Sequence, residues 1–275
     1  KYIWLTLILT SIVISGCSAP ETTVKKKTEK ASPVLQSSVT SAAELRVRSN
    51  RRHLSVQTLL ASGTVTLMQD TTEIFTFPVV LMYQSNDLFF MRAEKALAPN
   101  LFTVIENKGK FFIHVPSENV ILTGRNDALH TDQTYRVTFI PEFLRKGLVC
   151  QYIPPRHSAA MDRVTSGHDP VLKVYRKRNS GKINTRTITY SSGLLLPVKE
   201  IYNTPDGVNL FSVTRSDFRL PLTADIPFAH SVKITDIRNI RTVILSLDEI
   251  KINEPLDPDI FEFYYPEKIR VERVK

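Results

Sequence analysis

Alternation of apolar and polar residues dominates the chain from residue 64 onward. Thr64–Met68 alternates residue by residue, and Ile74–Tyr83 continues as a longer apolar run. A period of two is typical of strands that bury one face. Turn residues separate the runs, with Asp206-Gly207 as the strongest hairpin signal. The pattern predicts about eleven short antiparallel strands in two groups.

Two stretches depart from this alternation and predict helices. Residues 39–61 have loosely helical apolar spacing, and Ser41 with Glu44 three residues later is typical of a capping box. Residues 140–149 have a proline near their start and predict one or two helical turns. No regular alternation of strands and helices occurs, so a parallel sheet is disfavoured. The predicted fold class is α+β, mainly β.

The N-terminal residues form a different pattern, an apolar run over residues 3–13 that follows a lysine. A positive start, a short apolar core and small residues at its end predict a bacterial export signal, which is too short to span a membrane. The tetrapeptide Ile14-Ser15-Gly16-Cys17 resembles the lipobox of bacterial lipoproteins. This resemblance implies a signal peptide over residues 1–16 and acylation of Cys17 after cleavage. The alternative is an ordinary signal peptide whose cysteine pairs elsewhere.

The residues after Cys17 carry little that could fold. Residues 17–38 are rich in Ser, Thr, Lys and Pro, which predicts a flexible tether. The whole chain has a formal net charge of +9 and a pI near 9.5. In an exported protein such a charge favours an anionic membrane surface as partner, and nucleic acid is not expected. If Cys17 carries lipid, Cys150 has no intramolecular partner, and its apolar neighbours predict a buried thiol.

The order of the predicted elements resembles a known family. A first helix, the segment Ser62–Leu67 opening a meander, a helical interlude, a second meander and the closing segment Ile250–Phe263 are similar to the LolA/LolB-type lipoprotein carriers and receptors. The resemblance spans residues 39–265 as a single domain and leaves 266–275 as a basic C-terminal tail. It implies a strongly curved antiparallel sheet, an unclosed half-barrel, with helices lidding its concave side. Acyl chains are held between the sheet and those helices in this family.

The same resemblance bears on the destination of the protein. Receptors of this family are anchored and carriers are not, so Cys17 matches the anchored kind. Ser18 after it is compatible with transfer to the outer membrane, facing the periplasm. The apolar segment Ala96–Phe102 could contact the membrane through Leu97. The alternative is a strand start that is tucked into the core.

One strand offers a candidate lining for a hydrophobic ligand. Alternate apolar side chains of this strand share a face, and two aromatic residues of later strands are candidate neighbours. The predicted cavity-lining residues are Phe75, Phe77, Val79, Leu81, Tyr83, Phe90 and Phe112. An acyl chain buried there gains about 0.8 kcal/mol per methylene. The alternative is that these side chains pack against the helices as a dry core.

Catalytic motifs are absent from the sequence. It contains no Gly-x-Ser-x-Gly, no glycine-rich phosphate loop and no Cys-x-x-Cys. His157 and His168 lie in a loop without the spacing of a zinc motif. We therefore expect no enzyme, no metal and no cofactor, but a monomeric lipoprotein that binds membrane lipid or an acylated protein. The rivals are a protein-interaction module with a filled core and an envelope-stress-sensing lipoprotein.

Overall fold

A computed structural model describes residues 41–95, 98–131, 140–162, 169–179, 181–221, 223–237 and 241–274. The predicted signal peptide, the whole predicted tether and the predicted sites at Cys17 and Leu97 lie outside these ranges, as does His168. Within them, fourteen strands form a single sheet, so the expected number of about eleven was too low. None of the helices in these ranges is long and apolar enough to cross a membrane.

The structure consists mainly of strands, with a few short helices. The helices are α1 (Ala42–Leu54), α2 (Asn126–Thr131) and α3 (Pro141–Leu148), with 3-10 turns at Pro116–Glu118 and Pro258–Phe261. The strands of the first group are β1 (Thr58–Gln69), β2 (Thr72–Gln84), β3 (Leu88–Lys95), β4 (Ala98–Asn107), β5 (Lys110–Val115) and β6 (Val120–Arg125). The later strands are β7 (Ser158–Met161), β8 (Val171–Arg178), β9 (Gly181–Tyr190), β10 (Pro197–Asn203), β11 (Asn209–Arg219), β12 (Phe228–Asp236), β13 (Arg241–Ile252) and β14 (Arg270–Arg273).

The first helix is shorter than the sequence predicted. It begins after the N-cap Ser41, whose hydroxyl accepts a hydrogen bond from the Glu44 backbone N–H, and it ends at Leu54. The predicted extension to residue 61 was wrong. Residues 59–61 belong to strand β1 instead. Leu59 and Ala61 are fully buried, whereas Leu60 between them faces the other side and is only partly buried.

The two groups of strands join in the middle of the sheet. The strand order is β14-β6-β5-β4-β3-β2-β1-β13-β12-β11-β10-β9-β8-β7. Neighbouring strands are antiparallel except β14 and β6, which are parallel. The result is one unclosed, curved sheet, and the predicted α+β half-barrel with few helices is confirmed.

A close backbone approach accompanies an irregularity at the centre of the sheet. The β1–β13 register shifts between Ser62 and Gly63. A Cβ at Gly63 would collide with the carbonyl oxygen of Ser246 on β13, so only glycine fits there. Bulges of this kind increase local twist and bend the strand.

The concave face of the sheet carries the main core, and two helices cover it. α3 packs on β12, where Gly147 lets its backbone approach Ile234 closely. α1 covers the β8–β9 end, where its Leu45 packs with Ile188 and Tyr190. Short helices thus take the place of a second sheet over this face.

The C-terminal segment covers the convex face over β4, β5 and β6. Ile105, Phe112 and Ile121 form a separate apolar cluster there. Phe263 stacks on the Phe112 ring at 5.4 Å between centroids, and Tyr265 meets the same ring edge-on at 5.5 Å. The segment then continues into β14, so the residues expected as a basic tail include an edge strand and the buried Val274.

Candidate functional site

The candidate site is the concave face of the sheet beneath α3. Phe143 on α3 stacks on Phe211 of β11 with ring centroids 3.9 Å apart, and Phe211 stacks in turn on Tyr202 of β10 at 4.4 Å. Offset stacks of this kind add to the free energy gained by burying the rings. One aromatic column thus fastens this eight-residue helix to β11 and β10.

The predicted cavity-lining residues do not form one surface. Phe77, Val79, Leu81 and Tyr83 lie together in the concave core and are almost fully buried. Phe75 is paired with the buried Leu67 of β1 at the end of β2, but 63% of its surface is exposed. It is an exposed aromatic residue close to the β1–β2 turn.

Two of the predicted residues lie on the other face. Phe90 and Phe112 belong to the convex cluster, while their chain neighbours Phe89 and Phe111 point into the concave core. The expectation that Phe90 and Phe112 adjoin the β2 residues was wrong, because each follows by one position the residue of its strand that faces the concave core. In a strand, a shift of one residue moves a side chain to the opposite side of the sheet.

A first ionic cluster holds α3 to β4. The Arg145 guanidinium donates to Glu106 at 3.0 Å and to Asp87 at 2.5 Å, and Asn126 donates to the other Glu106 oxygen at 2.7 Å. Glu106 is completely buried, whereas Asp87 is exposed. Burial raises the pKa of Glu106 in spite of the opposing effect of Arg145. Two carboxylates thus face one guanidinium.

A second ionic cluster lies on β9, β10 and β11 of the same face. Glu200, which is fully buried, accepts hydrogen bonds from Arg215 at 2.6 Å and from the Tyr202 hydroxyl at 2.8 Å. Arg186 lies 3.5 Å from the same carboxylate. Burial alone would raise the pKa of Glu200, but the two guanidinium groups outweigh it and lower that pKa.

Arg215 also satisfies the end of α3. It donates to the backbone carbonyls of Lys146 at 2.9 Å and Gly147 at 2.8 Å. The last carbonyls of a helix lack partners within the helix and carry a partial negative charge, so a cation there is stabilising. Arg215 on β11 therefore contacts both the buried Glu200 carboxylate and the end of α3.

Gln151 links the two clusters. Its side-chain oxygen accepts from Arg145 at 3.3 Å, and its backbone carbonyl accepts from Arg186 at 3.0 Å. The Arg186 Nη2 has no hydrogen-bond partner among the described residues. The second cluster therefore retains a buried donor that can bind a further acceptor.

A small cavity lies beside this cluster, between the end of α1 and the β11–β12 connection. Its volume is about 20 Å³. The lining residues are Arg52, Val56, Leu148, Val149, Cys150, Pro197, Arg215, Phe218, Phe228 and Ala229. An open groove of about 240 Å³ lies on the convex face, between Leu60, Val80 and the charged Glu249 and Lys251. The cavity beside the second ionic cluster is thus much smaller than the groove on the convex face.

Cys150 and His157 are the remaining candidate groups that the structure describes. The Cys150 thiol is buried 3.4 Å from the Ser49 hydroxyl, and burial raises its pKa. This accords with the expected buried thiol. Burial also lowers the pKa of His157, whose backbone carbonyl accepts a hydrogen bond from Arg46. No group of three potential metal ligands occurs among the described residues.

The buried charges are the part of the site that the sequence pattern did not predict. Arg215 and Glu200 stand at alternate, inward positions of β11 and β10, where the pattern calls for apolar residues. A charged residue in such a position is a signal, since charges are rarely buried without partners. Arg215 pairs with Glu200, 15 residues away, and with the Lys146 carbonyl, 69 residues away, so that the signal identifies the residues but not the pairs.

Comparison with known proteins supports the fold. No protein-family model matches the sequence, and no curated protein matches it. Among solved structures, a Vibrio parahaemolyticus domain provisionally named for outer membrane lipoprotein sorting has a TM-score of 0.57 at 12% identity, covering 80% of this chain and 95% of that one. A LolA superfamily protein from Nitrosomonas europaea has a TM-score of 0.55 at 12% identity, covering 82% and 99%. A DUF1329 family protein from Desulfovibrio piger has a TM-score of 0.57 at 10% identity, covering 80% and 95%.

Proposed function

We propose that this chain, which has the fold of LolA-superfamily proteins, is an envelope lipoprotein that binds the acyl chains of a lipid or of a lipidated protein. The observation that carries the proposal is the concave apolar face, including Phe77, Leu81 and Phe211, which is covered by the short helix α3. A face of this kind is a suitable surface for hydrocarbon. The role is non-catalytic.

Binding requires α3 to move away from the sheet. Sites for drug-sized ligands have volumes of roughly 300–1,000 Å³, whereas the cavity beside the end of α3, which Leu148 and Val149 line, has about 20 Å³. Each buried methylene contributes about 0.8 kcal/mol, so ten of them supply about 8 kcal/mol toward displacing the helix. The Phe143–Phe211 stack and the bonds from Arg215 to the helix end oppose the displacement.

A lid-locking experiment tests this step. In a chain that carries Cys17→Ser to prevent acylation, Gly147→Cys and Ile234→Cys place two thiols at the close approach of α3 to β12. We expect the reduced protein to take up a neutral palmitoylated peptide, and the oxidised protein to bind it at least tenfold more weakly, as measured by native mass spectrometry. The reduced form of the same variant is the matched control. Absence of uptake by any form, or equal uptake by both, would contradict the proposal.

The anchoring part of the proposal places the protein at the outer membrane, facing the periplasm. Acylation of Cys17 would hold the domain on the tether of residues 17–38, near an anionic membrane surface that Leu97 would contact. Mass spectrometry of the mature amino terminus is expected to find acyl groups on Cys17. Cys17→Ser is expected to release the protein from the outer-membrane fraction, and a variant that stays there would contradict this part.

The burial of the β2 side chains favours a second candidate, a lipoprotein that interacts with a protein partner and keeps a solid core. The observation is that Phe77, Val79, Leu81 and Tyr83 are almost fully buried by protein. An envelope-stress-sensing role is one form of this candidate. A partner that is captured equally by the oxidised and reduced lid-locked variants, without uptake of the palmitoylated peptide, would select it over the first proposal.

A further inference from the structure

We propose that the cavity between the end of α1 and the β11–β12 connection binds the anionic head group of a single-chain amphiphile, with a carboxylate as the preferred head. The inference rests on the proposed function, because the hydrocarbon tail then occupies the space beneath the helices. It assigns to Arg52 and Arg215 the recognition of the charged end of the ligand.

The charge balance around the cavity is the first argument. Among the described residues, Arg186 and Arg215 share a single buried carboxylate, Glu200, and Arg52 lines the cavity together with Arg215. Buried charges are stabilised when they are paired and hydrogen-bonded. An anion in the cavity would reduce this excess of positive charge.

Arg52 is the arginine beside the cavity that has no counter-ion among the described residues. It donates to the Pro227 backbone carbonyl and lies over the Phe218 ring at 6.0 Å from its centroid. In the described part of the chain it forms no ion pair, and burial lowers its pKa, with Arg215 lowering it further. Its guanidinium lines the cavity and can donate to an oxygen placed there.

The charged groups on the neighbouring elements do not supply the missing anion. Asp217 on β11 faces Arg219, which donates to both of its carboxylate oxygens. Asp225 in the β11–β12 connection is exposed. On the side of α3, the Lys146 ammonium is paired with Glu142. The cavity therefore remains electropositive.

The size and walls of the cavity select the kind of anion. Its volume of about 20 Å³ is close to that of a site for a single water molecule, which suits the oxygens of a carboxylate better than a substituted phosphate. Apart from the arginines, its lining is largely apolar and includes Val56, Leu148 and Phe228. Methylenes next to the head group would contact these side chains.

The test compares charged and neutral ligands of equal chain length. Unacylated protein carrying Cys17→Ser is titrated calorimetrically with sodium dodecanoate, with monododecanoylglycerol and with sodium acetate. The test variant is Arg52→Gln, Arg52→Lys retains the charge, and Arg51→Gln is the matched control, since Arg51 is an exposed residue of the same helix that does not line the cavity. Binding of the neutral ligand also reports whether each variant is folded.

We expect Arg52→Gln to weaken dodecanoate binding about tenfold, the usual effect of losing one hydrogen bond to a charged group. Binding of monododecanoylglycerol should change less than twofold, Arg52→Lys should retain most of the affinity, and Arg51→Gln should leave both ligands unaffected. Equal binding of both amphiphiles by wild type and Arg52→Gln would overturn the head-group site and leave the proposed function standing. Acetate binding as tightly as dodecanoate would overturn the amphiphile assignment. Binding of neither amphiphile would overturn the proposed function and this inference together.

Discussion

The two ionic clusters on the concave face are built from the same residue types and differ in their balance. In the first, Arg145 faces two carboxylates, Glu106 and Asp87, and one of these is exposed to water. In the second, Glu200 faces two arginines, Arg215 and Arg186, and all three are buried. In the first cluster the unpaired buried atom is an acceptor, the Asn126 side-chain oxygen, whereas in the second the unpaired atoms are two donors of Arg186.

This difference separates a structural role from a binding role. A balanced buried pair fixes the position of α3 and has little capacity left for another ligand. A cluster with excess guanidinium groups can accept a further anion at low cost. The comparison therefore assigns the holding of α3 to the Arg145 cluster, and both holding and ligand recognition to the Glu200 cluster.

The largest effect is expected from Glu200→Gln. The substitution leaves two buried guanidinium groups without a carboxylate, and breaking a buried pair in this way costs roughly 3–5 kcal/mol. Urea denaturation followed by far-ultraviolet circular dichroism measures the free energy of unfolding. Glu249→Gln, at an exposed carboxylate on β13, is the control and should change stability by less than about 0.5 kcal/mol. A similarly small effect of Glu200→Gln would remove the distinction between the clusters.

Paired replacements sharpen the comparison. Arg145→Met alone should cost about 3 kcal/mol, and adding Glu106→Met should recover at least half of it, because a buried pair can often be exchanged for apolar residues. The corresponding pair Glu200→Met with Arg215→Met should recover much less, since Arg186 then remains without a carboxylate. Equal recovery in both double variants would show that the clusters are equivalent.

The two buried glutamates should give opposite pH dependence. Glu106 has a raised pKa, so the native state binds its proton more tightly, and the free energy of unfolding falls as pH rises from the ordinary glutamate value of 4.5 toward the raised one. Glu200 has a lowered pKa, so its contribution is complete above 4.5 and is lost as pH falls through the lowered value. A tenfold difference in proton affinity between the folded and unfolded states corresponds to about 1.4 kcal/mol of stability.

Unfolding of wild type, Glu106→Gln and Glu200→Gln between about pH 3 and 7 measures this contrast. The stability difference between wild type and Glu106→Gln should narrow as pH rises, and that between wild type and Glu200→Gln should widen. Parallel curves for the two variants would refute the assigned directions.

The smallest effect on stability is expected from Arg52→Gln. This substitution removes a guanidinium without a carboxylate partner and one hydrogen bond to a backbone carbonyl. These contributions oppose each other, so the free energy of unfolding should change by less than about 1 kcal/mol. Thermal denaturation checks this, with Arg51→Gln as the control. A loss as large as that of Glu200→Gln would make Arg52 a structural residue rather than a spare donor.

The sequence could predict the type of fold because each strand of the concave face has its own apolar alternation. Val79, Leu81 and Tyr83 identify their strand without knowledge of any partner. β14 was missed because its four residues, Arg270–Arg273, include three charged ones that lie at an edge. Such a strand is defined by hydrogen bonds to β6 and not by burial.

The candidate site could be predicted less well, for a reason of register. Phe90 and Phe112 are as apolar as Phe89 and Phe111, so composition does not decide which of each pair faces inward. The decision depends on the neighbouring strand and on the C-terminal segment that covers the other face. The charged pairs depend likewise on contacts between residues far apart in the chain.

The pairing of β1 with β13 has a consequence for the folding of the newly synthesised chain. The central seam of the sheet cannot close until β13 has been synthesised, and β14 reaches β6 only after that. Folding that waits for distant segments is slow and leaves apolar surface uncovered in the meantime. A chain that stopped shortly before β13 would lack the strand that joins the two groups of strands.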